Sequence, residues 1–519
     1  MISKKTKKIL ALSMTLTVAG TAMPAMNTQN VAFAEENFVE EGKIDSDNIN
    51  NLQGDDLENN DSKNTFKSKS IKTTGESVSL GSYGEIQNKV VKTTDAGVTL
   101  MMLDSWTSLN DFSNVDDKIV INDIEFKLNS DKSTVTVSKQ TLKEDTDLDL
   151  PGTITCGGKD YTVTGIKSSV FYYCRYLTNV KIPKEIKNIE VQVFSGCSKL
   201  TSIDVANDSA NYTSEDGILF SKDKKRIMCY PSGKEGEEYI IPEEVTSIDK
   251  YAFWECGKLT SIILPQDLEI IGNEAFYNCK GITNINIPEK VTNIGYGIFE
   301  SCSGLISIDV DSNSTNYASE NGILFSKDKK KIVCYPMGKE EKEYIIPQEV
   351  TSIGNGAFKG CSKLTSIILP KNLESIGEGA FRGCSEITRI NIPEGVTRIE
   401  SIAFGECYNL SDITLPKNLE SIGMHSFYGC YELKSINLPN KVTRIDDYAF
   451  YHSGLTEMSI PKGVTYIGDN AFLDCRDLKT MSVHKDLGDS SINNIKDDVP
   501  CIIKYEEDAS NMKISDILF

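Results

Sequence analysis

Apolar residues return along this chain at a fixed interval. The pattern F-x-x-C, or a variant of it, recurs at Phe171, Phe194, Phe253, Phe276, Phe299, Phe358, Phe381, Phe404, Phe427, Phe450 and Phe472. Most steps are 23 residues, two are 59 and the last is 22. A period of this size predicts a solenoid, because one such unit cannot bury its own apolar face and stacked units bury each other's. One unit reads LTSIILPQDLEIIGNEAFYNCKG (259–281) and the next ITNINIPEKVTNIGYGIFESCSG (282–304). Apolar residues fall at unit positions 1, 4, 6, 10, 13, 17 and 18, with proline at 7 and cysteine at 21.

Each position has a physical task. Alternation at positions 3 to 6 predicts a short strand with 4 and 6 facing inward. Pro265 lacks an N–H and ends it. A second extended piece brings in Leu268 and Ile271, Gly272 is expected to permit a sharp bend, and NEAFYNC turns back onto the core. A longer period overlies this one. Residues 200–304 and 305–409 match throughout, each a 36-residue coil followed by three of 23. The extra residues, DGILFSKDKKRIMCYP (216–231) and NGILFSKDKKKIVCYP (321–336), read as twin hairpins standing out from one edge.

The flanks divide the rest of the chain. Residues 1–34 carry four lysines, an apolar run and an A-x-A site, so a signal peptide cut after Ala34 is expected. Residues 35–85 are too polar to offset their ordering entropy and read as a disordered spacer. In 86–153, KIVINDIEFKL and STVTVSK flank the turn NSDK, a β-hairpin within an N-terminal cap. The solenoid is expected over 154–477, and a C-terminal cap and tail over 478–519. No stretch of the mature chain is apolar enough to span a bilayer.

The unit LTSIILPQDLEIIGNEAFYNC, with the GILFSKDKK insert, resembles the BspA-like leucine-rich repeat family over roughly 154–478. The resemblance implies a β-rich leucine-rich repeat solenoid with a hairpin N-terminal cap. It also implies a bacterial protein, secreted or on the cell surface, that binds host matrix or cell-surface molecules as an adhesin. It transfers no catalytic residues and no cofactor.

Charge and candidate chemistry narrow the reading. The net charge of −20 argues against nucleic acid, which wants a basic face. Ten of the 14 cysteines occupy position 21, Cys279 among them. A ladder spreads thiols along a line, so neither a tetrahedral zinc site nor successive disulfides fits it, and a buried thiol column is expected. Cys156 and Cys501 lie in the caps, where a disulfide stays open. Only three histidines are present, His425, His452 and His484, and no nucleotide, zinc-protease, serine-hydrolase or EF-hand motif occurs. A binding protein is therefore expected, with a self-assembling envelope protein as the alternative and an enzyme with a dispersed site as the weakest reading.

Two surfaces are candidates for a protein or glycan ligand on a host or neighbouring cell. Positions 3 and 5 face outward and carry little charge, which suits a protein partner. Ser366, Arg389, Asn391, Asp412, Thr414, Ser435 and Asn437 mark this face in the uninterrupted run 341–454. The alternative is the pair of basic turns, Lys224 and Lys225 with Lys329 and Lys330, which suit an anionic polymer.

Overall fold

The structure, a computed structural model, describes residues 89–94, 97–102, 107–108, 112, 117–485, 487–499 and 501–506. The expected signal peptide, the spacer and the end of the tail lie outside these residues. Each regular coil has three sides. In the coil that begins at Leu259, strand Ser261–Ile263 forms the first side and Ile270–Ile271 the second. The third is a turn column carrying Ala275, Phe276 and Cys279, all fully buried. The second side pairs in parallel with both neighbouring coils at constant register, as in Ser247↔Ile270 and Ile270↔Asn293, and the first side pairs with the preceding coil, as in Tyr239↔Ile262.

The bend is made otherwise than Gly272 suggested. Gly272 is absent from the positive-φ positions, whereas Glu274 (φ 52°) and Asn278 (φ 58°) adopt the left-handed conformation. Those two residues, at positions 16 and 20, fold the chain back. Gly272 serves close approach instead: a Cβ there would lie 2.5 Å from the Lys250 nitrogen of the preceding coil. The left-handed residues aim alternate N–H groups at the following coil. Tyr251, Phe253 and Glu255 donate to the carbonyls of Asn273, Ala275 and Tyr277 at 3.2, 2.8 and 2.8 Å.

The phenylalanines stack along the third side, with centroids 5.2 Å apart for Phe253–Phe276 and 5.4 Å for Phe276–Phe299. In the 36-residue coils Tyr230 and Tyr335 take their place, stacked on Phe253 at 5.4 Å and on Phe358 at 5.1 Å. The hairpins do not stand out. Tyr212–Glu215, Ile218–Ser221 and Arg226–Cys229 form an antiparallel triple whose last strand joins the second sheet through Ile227↔Ile248. Ile218, Leu219 and Phe220 are buried at 1% exposure each, because three consecutive apolar residues cannot be left in water.

These coils take a short cut. Tyr230 follows Ile227 by three residues, where Phe253 follows Ile248 by five. Two residues are therefore missing from the turn column, and the hydrophobic core divides there into three clusters, at 218–219 and 323–324.

At the N-terminal end, Lys118–Ile121, Ile124–Leu128 and Thr134–Gln140 form an antiparallel meander. The hairpin over NSDK is present. A second, tighter turn lies within KIVINDIEFKL, where Asn122 and Asp123 both have positive φ, the two-residue turn that suits strand twist. At the other end the helix Asp489–Asp498 closes the array, and Asp498 Oδ2 accepts the Phe472 N–H at 3.0 Å. That carboxylate stands where the next coil's carbonyl would be.

Candidate binding face

The longest run of the first sheet joins Glu343–Ile345, Ser366–Ile368, Arg389–Asn391 and Asp412–Thr414. The middle residue of each strand faces the core; Ile367, Ile390 and Ile413 are buried. The flanking residues form two outward rows. One row runs Glu343, Ser366, Arg389 and Asp412, and within it Arg389 pairs with Asp412 at 3.1 Å in the open. The other runs Ile345, Ile368, Asn391 and Thr414 and carries no charge; its isoleucines are 65% and 53% exposed. Arg389 offsets one of the two carboxylates on the first row, so the face carries a single net negative charge on a chain of net charge −20.

The structure brings Ser366, Arg389, Asn391, Asp412 and Thr414 onto one surface. It leaves Ser435 and Asn437 exposed but outside the sheet, since no strand forms at 434–437. That coil is the one of 22 residues. The next coil begins one residue early, and on this side, among the described residues, it reaches back only through Thr456, whose N–H donates to Lys434 O at 2.9 Å. Ile345 completes the neutral row and was not singled out from sequence. It sits in the EYIIP strand after the insert, whose match to position 5 becomes legible once the coil is counted from Glu341.

The basic turns are less basic than they read. Lys224 Nζ lies 2.6 Å from Glu215 and Lys329 Nζ 2.6 Å from Glu320. Asp223 and Asp328 fold the same turns by accepting from Ser221 and Ser326 at 2.7 Å. Lys225 and Lys330 stay exposed without a salt-bridge partner among the described residues.

The thiol column is a structural element. Cys279 Sγ donates to Phe253 O at 3.0 Å, Cys302 to Phe276 O at 3.0 Å and Cys384 to Phe358 O at 3.1 Å. Each thiol thus ties its coil to the preceding one, and burial pushes these thiols well above their ordinary pKa. Cys156 belongs to the N-terminal core cluster and Cys501 packs on the C-terminal one, too far apart in the array to bond to each other. His425 stacks on Tyr448 at 4.7 Å, and burial, aided by Arg382, lowers its pKa to about 4. Among the described residues no cluster of His, Cys, Asp and Glu is suited to a metal.

Among the described residues, charged side chains are buried at one place. Glu300 and Lys359 meet at 2.6 Å with side-chain exposures of 5% and 11%. Glu274 lies beside them, and Arg382 reaches Glu406 at 3.0 Å. These groups sit in the turn column, away from the neutral row. The Glu300–Lys359 pair spans the second of the two short-cut coils, which makes it a clasp.

Stacked parallel strands, a buried ring column and a thiol column define a leucine-rich repeat solenoid. The family model for the BspA type leucine rich repeat region matches residues 159–222, 229–328, 337–453 and 398–499, and the chain belongs to this family. It is a scaffold family, typically without catalysis, that serves protein–protein interaction and surface display. Among solved structures, a leucine rich cell surface protein from Faecalibacterium prausnitzii is 27% identical; the match covers 74% of this chain and 98% of that one, with TM-score 0.43. The pneumococcal vaccine antigen PcpA is 23% identical over 77% of this chain and 100% of its own, with TM-score 0.43. A leucine-rich repeat protein from Bacteroides ovatus is 25% identical over 75% and 100%, with TM-score 0.32. No curated protein matches the chain. Among the described residues no helix is long and apolar enough to cross a membrane.

Proposed function

We propose that this protein is a secreted or cell-surface adhesin. Its four-stranded face, from Glu343 to Thr414, takes a protein ligand on a host or neighbouring cell. The observation that carries the reading is the neutral row Ile345, Ile368, Asn391 and Thr414 on a rigid parallel sheet. An interface core is typically depleted of charge and enriched in apolar contact, and this row has both features on an otherwise acidic molecule. The pairing of Lys224 and Lys329 with acidic neighbours favours the face over the basic turns.

The experiment is a screen of the purified protein against matrix proteins and glycans, with serum albumin as control. Replacing Ile368, Asn391 and Thr414 together with lysine abolishes binding of the selected ligand, while circular dichroism and the melting curve stay as in wild type. Asn437→Lys, outside the sheet, leaves binding intact. Binding that survives the triple change and disappears when Lys225 and Lys330 become glutamate would assign the ligand to the turns.

A further inference from the structure

The two short-cut coils interrupt the backbone ladder twice, and the two interruptions differ. In every regular coil with a described neighbour after it, the N–H groups of positions 16, 18 and 20 donate to the next coil. At the first interruption those groups belong to Gln192, Phe194 and Gly196, and at the second to Gly297, Phe299 and Ser301. None of the six has a partner among the described residues. The carbonyl of Lys250, which flanks the first gap, is likewise without one.

At the second interruption the space is closed. The Glu300–Lys359 pair crosses it, Met337 and Tyr335 fill it, and a cavity of only 10 Å³ remains. The residues 105 earlier are Ser195 and Trp254, which cannot form that pair. Trp254, against Tyr172, and a hydrogen bond from the Tyr173 hydroxyl to Glu255 at 3.0 Å cross this gap at its turn-column end, and beside them a cleft of 570 Å³ stays open, within the range of ligand sites in general. One wall is Glu190–Phe194 and the other Asp249–Tyr251, with Arg226 and Met228 on the floor. Arg226 and Asp249, 3.4 Å apart, line it, and both are partly exposed.

We infer that this cleft is a second binding site, one that takes an extended peptide segment of a partner protein. The space is where coil backbone is missing. One wall offers the N–H groups of Gln192 and Phe194, and the opposite wall offers the Lys250 carbonyl. Peptide backbone carries both an acceptor and a donor and satisfies both walls, as strand addition does elsewhere. An inorganic anion only accepts and leaves that carbonyl bare. The charged lining carries both signs, Glu190 and Asp249 against Arg226 and Lys250, so it does not select an anion either. The site is separate from the neutral row and does not rest on it.

The test starts from random dodecapeptides displayed on phage and selected on the purified protein. Amide exchange of Gln192 and Phe194, followed by mass spectrometry or NMR, slows by about tenfold or more when a selected peptide binds. Gly297, Phe299 and Ser301 are unchanged in the same experiment. Val191→Trp, which fills the cleft from a residue 57% exposed, weakens the peptide by about tenfold or more. Failure to enrich any peptide overturns the inference. So does a footprint confined to 343–414, which would leave the adhesive face standing. Inorganic phosphate is the second probe: slowing of the same two amides by phosphate alone, with displacement of the peptide, would make the cleft an anion site.

Discussion

The backbone N–H of Ile189 donates to the hydroxyl of Tyr212 at 2.9 Å, and the same hydroxyl reaches Lys187 O at 3.4 Å. A side chain stands in for a missing strand, donor and acceptor together. The duplicated pair, Ile294 and Tyr317, repeats the contact at 3.0 Å. Tyr212→Phe leaves a buried amide unpaired and should cost about 1–3 kcal/mol. Urea unfolding measures the loss, and amide exchange at Ile189 should quicken in the variant while that at Ile294 does not change.

Tyr335 takes the phenylalanine position in its coil but holds its hydroxyl buried without a hydrogen-bond partner. Tyr335→Phe removes an unsatisfied polar atom and keeps the ring stack. It should leave the protein as stable as wild type or raise stability by about 1 kcal/mol. Phe276→Ala, in the middle of the preceding ring stack from Tyr230 to Phe299, should lower it by about 3–5 kcal/mol. Equal urea midpoints for these two variants would refute the ring column as the core of the array.

The thiols of the column should stay reduced and react slowly. Cys279 is fully buried and bonded to Phe253 O, whereas Cys501 is half-buried near the end of the array. Alkylation followed by mass spectrometry should label Cys501 first and Cys279 only after denaturant is added. Cys279→Ser should be tolerated, because Ser453 occupies the same position naturally and lies 3.3 Å from Cys475 Sγ.

The repeat was legible in the sequence because burial repeats: Leu268, Ile271, Phe276 and Cys279 sit where periodicity put them. The strand at Ser261–Ile263 followed from the alternation and the proline after it. What periodicity could not show were contacts between coils. The close approach at Gly272 is a backbone contact with Lys250, remote in sequence, and the left-handed turns at Glu274 and Asn278 use residues with no glycine to announce them. The clasp from Glu300 to Lys359 skips a whole coil. The candidate face was legible in part: Asn391 and Thr414 fell on it, Ile345 was hidden by the insert's change of register, and Asn437 lost its strand to a one-residue deletion.

That clasp should behave as a buried pair. Lys359→Met strands a carboxylate and should cost about 3–5 kcal/mol. Glu300→Gln with Lys359→Met should cost less than the single change, since no bare charge remains. A double-mutant cycle at neutral pH checks this; additive losses would mean that the two groups do not interact.

The clasp's neighbour gives the array a pH dependence of definite sign. Burial, and then Glu300, push the Glu274 carboxyl up to about 7, against the opposing pull of Lys359 and Arg382. Its folded pKa lies above the unfolded one. Below the unfolded value it is protonated in both states and costs nothing. Between 4.5 and about 7 the unfolded chain is ionised while the folded protein still holds the proton, so stability falls as pH rises across that window, by about 3 kcal/mol in all, and no further above it. His425 works in the opposite direction. Its folded pKa of about 4 lies below the ordinary 6.5, so stability present above 6.5 is lost as pH falls toward 4. Melting temperatures of wild type, Glu274→Gln and His425→Phe across this range separate the two. Glu274→Gln should remove the loss that accompanies rising pH between 4.5 and about 7, and His425→Phe the loss that accompanies falling pH between 6.5 and about 4. Identical slopes for Glu274→Gln and wild type between the ordinary carboxyl value of 4.5 and about 7 would mean that Glu274 ionises freely and is not held in the dry column beside Glu300.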